Sequence, residues 1–195
     1  MKHSLAVVLC TVAISGSLAA QGAGPAAKQM MPKAAAANPL TDSVKAAYTS
    51  VKGNITKSAA AVGEKGYMFK PAGVAPEVRN FAQMVGHIAN ANFTFCAPLM
   101  GEAMKGETGP GGVDFEKKTA KADLQKGLAD SFAFCDKAFD SVNDRNAAQA
   151  VDKAPIGATT RLGLLAYNNA HDWEHYGNLV TYMRAMGMVP PSSQK

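Results

Sequence analysis

The chain is short of several things, and each shortage excludes something. Only three cysteines occur in 195 residues, too few for a disulfide scaffold or a four-thiolate metal site. Charged residues are scarce at 18%, and the net charge of +5 is spread without a block of one sign. No nucleic-acid partner is therefore expected. No apolar run approaches the ~20 residues that a membrane-spanning helix needs. The sequence contains no Cys-x-x-Cys-His haem attachment, no Gly-x-Ser-x-Gly nucleophile elbow and no paired Glu-x-x-His di-iron motif. It is also shorter than the ~250 residues of a typical (β/α)8 barrel. What is there is an apolar fraction of 47%, ordinary for one globular domain with appendages.

The N-terminus has the form of an export signal. Lys2 gives a positive start, Leu5 to Ile14 is a short apolar run, and small residues follow at Ser15, Gly16, Ser17, Ala19 and Ala20. Residues 1–20 are read as a signal peptide cleaved near Ala19 or Ala20. The expected location is periplasmic or secreted, with no membrane span in the mature chain. Cleavage removes His3 and Cys10 and leaves three histidines and two cysteines. Residues 21–39 are rich in Ala, Pro and Gly, have no periodic apolar face, and read as a linker. Residues 40–195 form the folded domain.

Within that domain the apolar spacing is helical. Val44, Ala47, Tyr48, Val51 and Ile55 recur every three or four residues behind a capping group at Thr41, Asp42 or Ser43. A second helix is expected from a first turn at Pro76 to about Glu102, with a kink near Pro98. A third runs from about Thr119 to Val142, and a short helical turn is expected within Asp144 to Asp152. The last starts near Thr159 and stops by Gly187, ahead of Pro190 and Pro191. No segment alternates with period two, so no sheet is expected. The fold class is all-α, a four-helix bundle.

The chemistry lies in the histidines. His171 and His175 are four apart in the last helix, so both imidazoles leave one face, a turn apart. Such a pair can hold a metal ion. His87 lies in the second helix among Phe81, Met84, Val85 and Ile88, where a buried imidazole needs a partner. If the two helices pack together, three neutral imidazoles converge and leave an open position, the layout of a catalytic metal site. The run His171-x-x-Glu174-His175 also matches an inverted zinc-protease pattern. That class needs a further carboxylate ligand downstream, and the last 20 residues hold neither Asp nor Glu. Glu174 stays as a candidate catalytic base. Asn90, Asn168, Asn178 and Asp172 are candidates to orient the ligands, with Asp172 expected at solvent or in a cap. Cys96 and Cys135 suit a disulfide in an oxidising compartment, the alternative being two buried thiols.

Three passages resemble the DinB-like superfamily, especially exported members. They are Pro76 to Asn92 around His87, Ser131 to Asp136, and His171 to Arg184 with Gly187, Pro190 and Pro191. The resemblance spans roughly residues 40–193. It implies a four-helix bundle holding a divalent metal on three histidines, carried over here to His87, His171 and His175. Some relatives are thiol-dependent transferases and others are regarded as metal-dependent hydrolases. Glu174 and Tyr176 stand where many cytoplasmic members carry Arg or His. The resulting expectation is an exported metal-dependent hydrolase or transferase acting on a small molecule. A non-catalytic metal-binding or stress-related bundle is the alternative. Zinc is the first choice of metal, with nickel, copper or iron also compatible with imidazole. A homodimer remains open.

Overall fold

A computed structural model describes residues 37–194. The expected signal peptide and most of the expected linker lie outside those residues. Four long helices dominate: α1 (Pro39–Ala61), α2 (Phe81–Cys96), α3 (Lys121–Asp140) and α4 (Arg161–Ala185). Helix α2 packs on α3 and α4, and α1 closes the bundle against α4 and α3. No helix among the described residues is long and apolar enough to cross a membrane.

Two expectations about α2 change. It begins at Phe81, not at Pro76, because Asn80 forms a capping box with Gln83. The Asn80 side chain accepts from the Gln83 amide at 2.8 Å, and the Gln83 side chain accepts from the Asn80 amide at 2.9 Å. Its α-helical part also ends at Cys96. Beyond it Pro98 sits in a 3-10 turn, Ala97–Met100, which Gly101 ends with φ +73°. Helix α4 starts at the Thr160 cap and closes at Gly187, φ +74°. There Gly187 and Met188 donate to the carbonyls of Arg184 and Met183, at 2.9 and 2.8 Å.

The all-α bundle also carries one small sheet that the sequence reading did not anticipate. β1 (Ala150–Val151) pairs antiparallel with β2 (Thr159–Thr160), Ala150 facing Thr160 and Val151 facing Thr159. Two residues per strand are too few to show an alternation in sequence. Where a short helical turn was expected before α4, residues 144–148 form a run of hydrogen-bonded turns.

The core follows the predicted stripes. Tyr48, Val51 and Ile55 of α1 are buried, as are Leu124, Leu128, Phe132 and Phe139 of α3. Tyr48 stacks on Phe139 at 3.9 Å, and its hydroxyl donates to the Phe132 carbonyl at 3.1 Å and to Asp136 at 3.0 Å. Each such side chain contributes about 1.5–3 kcal/mol by leaving water. Helix α2 is the most enclosed element, with all but two of its 16 residues buried. A disulfide joins Cys96 of α2 to Cys135 of α3 across a Cα separation of 5.4 Å.

Candidate metal centre

Helix α2 presents His87, and α4 presents His171 and His175. The α2–α4 packing brings the three rings together. Nε2 of His175 lies 3.0 Å from Nε2 of His87 and 3.0 Å from Nε2 of His171. The ring centroids are 4.3–5.1 Å apart. His87 and His175 are buried, and His171 is half-buried against Phe95.

These contacts fit a shared cation better than a hydrogen-bonded cluster. An imidazole nitrogen carries either a hydrogen or one lone pair. The central Nε2 of His175 therefore cannot serve both neighbours well. Three lone pairs directed at one ion remove the conflict, and the three ligand nitrogens lie within 4.8 Å of one another. The two α4 rings are also held neutral, as coordination requires. Burial, then the adjacent His87, lowers His171 to about 4. Burial, then His171 and His87, lowers His175 to about 3.

The outward nitrogen of His87 is held by carboxylates. Its Nδ1 lies 2.9 Å from Oε1 of Glu116 and 3.1 Å from Oε1 of Glu107. Donating there fixes the tautomer and frees Nε2 for a metal. Glu116 is itself paired with Arg79, Nε to Oε2 at 2.9 Å. It sits in a 3-10 turn, Phe115–Lys117, clamped onto α2. Oδ1 of Asn90 accepts from the Phe115 amide at 3.0 Å, while Nδ2 donates to Asp114 at 2.9 Å. The approach is close enough that a Cβ on Gly86 would overlap the Phe115 carbonyl. Glycine next to His87 thus admits the turn that brings Glu116.

The remaining candidates separate. The Asn178 amide lies 3.3 Å from Nδ1 of His175. Turned with its oxygen inward, it would accept the Nδ1 hydrogen. Glu174 is exposed and joins no group of metal-holding donors among the described residues. Adjacent helix positions diverge by about 100°, so the helix that buries His175 turns Glu174 to solvent. Asp172 is not where it was expected: it is fully buried. Neither of its oxygens has a hydrogen-bond partner among the described residues, nor do the side-chain amide of Asn168 and Nδ1 of His171. Burial raises Asp172 well above the usual carboxylate range.

Glu107, Glu116 and Arg79 escaped the sequence reading. They lie in loops without periodicity, and their only cue was a Glu or Arg in Gly-rich or Pro-containing surroundings.

The site opens to a cleft of about 1040 Å³ lined by His87, His171, Phe95, Tyr167, Glu107 and Arg161, among others. Phe95 and Tyr167 meet edge to face at 5.2 Å and give it an aromatic wall. Concave, part-apolar clefts of about this size are typical small-molecule sites.

Comparison with known proteins agrees with this architecture. The family model described as DinB superfamily matches residues 27–179. Among solved structures, a DinB-like protein from Bacillus cereus is similar at a TM-score of 0.59 and 18% identity, over 77% of this chain and 95% of that one. At that identity the likeness speaks to fold. No curated protein matches the chain.

Proposed function

The chain belongs to the DinB superfamily, and from that premise we propose that it is an exported divalent-metal protein acting on a small molecule by hydrolysis or group transfer. One observation carries the proposal: three buried or half-buried imidazoles converge beside a cleft of about 1040 Å³, with Nε2 of His175 3.0 Å from Nε2 of both His87 and His171. His87, His171 and His175 would hold the ion, with zinc the first choice and nickel, copper or iron compatible. Bound there, a divalent ion supplies Lewis acidity, polarising a substrate oxygen or acidifying a water.

The rest is the work of this chain's own side chains. Glu116 takes the Nδ1 hydrogen of His87 and orients the ring. Glu107, which lines the cleft and touches the same nitrogen, is the carboxylate placed to exchange a proton with a bound molecule. Phe95 and Tyr167 offer a bound molecule an aromatic wall. The Cys96–Cys135 bridge and the apolar N-terminal run support export into an oxidising compartment. A non-catalytic metal-binding bundle is the second reading, favoured by the exposure of Glu174.

Elemental analysis of the purified protein tests the metal directly. The expected result is about one divalent ion per chain, lost in both His87→Ala and His171→Ala. A wild-type protein that stays empty after addition of zinc or nickel would sink the proposal. Thiol counting in unfolded, unreduced mature protein should find none.

A further inference from the structure

The cleft beside the imidazoles has a second chemical feature that the metal does not use. Arg161 opens α4 and lines the same cleft as His87 and His171. It is half-buried. Its Nη2 donates to the Ser141 carbonyl at 3.3 Å and the Ser141 hydroxyl at 3.0 Å, whereas its Nε is buried without an acceptor. Glu102, Glu107 and Asp152 line the cleft too. Yet among the described residues no carboxylate forms an ion pair with Arg161. A partly desolvated guanidinium without a counter-ion is costly, and its planar fork matches a carboxylate.

The helix start does not provide the anion site by itself. The amides of Arg161 and Leu162 already donate to the Gln149 and Ala147 carbonyls at 2.9 and 3.0 Å, and that of Gly163 to the Thr160 hydroxyl at 3.0 Å. The side chain is what remains available. Ten residues separate Arg161 from His171, about 15 Å along a helix axis. Tyr167 and Phe95 stand along the same cleft.

We infer that the cleft takes an elongated small molecule with an apolar middle and a carboxylate at one end, the carboxylate resting on Arg161 and the far end reaching the imidazoles. The inference rests on the proposed reading of this cleft as a small-molecule site.

Calorimetric titration with three probes of one shape tests it: 4-biphenylcarboxylate, the neutral 4-biphenylcarboxamide and the cationic 4-biphenylmethylamine. Each is titrated into the full mature protein, as purified and after EDTA treatment. The carboxylate should bind at least about tenfold tighter than the amide in both forms. Arg161→Gln should cut that ratio to below about threefold, and Arg161→Lys should fall between. Lys153→Gln, also in the cleft, should leave it within about twofold. Far-ultraviolet circular dichroism confirms that each variant is folded, and if Arg161→Gln does not fold, Arg161→Lys carries the test alone. Equal affinities, a preference for the amine, no binding of any probe, or an unchanged ratio in the Arg161 variants overturns the inference. So does a preference that vanishes with EDTA, because that places the carboxylate on the metal instead. A preference that survives in protein shown to bind no metal supports Arg161 while refuting the metal centre.

Discussion

On the His87 side of the three imidazoles, polar atoms have protein partners. His87 meets Glu116 and Glu107, Glu116 meets Arg79, and Asn90 meets both Asp114 and the Phe115 amide. On the α4 side, Asn168, Nδ1 of His171 and both Asp172 oxygens have none among the described residues. The contrast separates a ligand set in place by folding from two ligands set mainly by helical spacing. It also locates the cost of the site. A buried polar group without a partner costs about 1–3 kcal/mol, so α4 carries most of the penalty, whereas on α2 only Oδ1 of Asn92 lacks a partner among the described residues.

That contrast can be broken in several ways, beginning with the largest effect. Gly86→Ala should cost about 2–3 kcal/mol in chemical denaturation, because a methyl there meets backbone that cannot step aside. It should also weaken metal binding with all three histidines intact, since it displaces the turn that carries Glu116. A wild-type metal affinity in a destabilised Gly86→Ala protein would show that Glu116 does not position His87.

Glu116→Ala should lower metal affinity about 10- to 100-fold in competition with a chelator. Asn168→Ala should change it by less than about threefold, since Asn168 holds no ligand by a direct bond. Equal losses would erase the distinction between the two sides. Asp172→Asn should raise stability by about 1 kcal/mol at pH 8, by removing a buried carboxyl that has no partner. A loss of stability would mean that the carboxyl has a partner in solution, such as an ordered water.

The smallest effect concerns acid. Burial pushes Asp114 up, but hydrogen bonds from Lys117, Asn90 and the Glu116 amide outweigh it and hold the carboxyl below its usual value. A lowered folded pKa adds stability above the unfolded value of about 3.9, and that stability is lost as pH falls through the folded value. The wild type should therefore lose its advantage over Asp114→Asn below about pH 4. A gap that does not shrink as pH falls below about 4 would exclude the charge as its source.

Much of this was legible from spacing. His171 and His175 had to share a face, and His87 stood alone in an apolar stripe. Helices α1, α3 and α4 lie within a few residues of their expected bounds. What escaped was what spacing does not encode. Pro76 looked like a helix start, but the capping box at Asn80 decided the boundary. Glu116 reaches His87 from 29 residues away through a turn whose placement depends on Gly86 and Asn90. Asp172 looked like a surface residue because it is charged. Its position is nevertheless four after Asn168 and seven before Leu179, both of which are buried, so it belongs to the core stripe of α4.

The disulfide and the imidazoles act on one helix. Helix α2 is sewn to α3 by a covalent bond and meets α4 through the three histidines. Helix α1 has neither fastening. It is retained by packing around Tyr48, by the lysine pairs Lys45–Asp140 and Lys52–Asp136, and by Asp144 accepting from the Leu40 and Thr41 amides. The bundle is therefore laced on three sides and merely leaned on by the fourth. Opening under stress would begin with α1 and bare the aromatic face of α3, while α2, α3 and α4 kept the three imidazoles together.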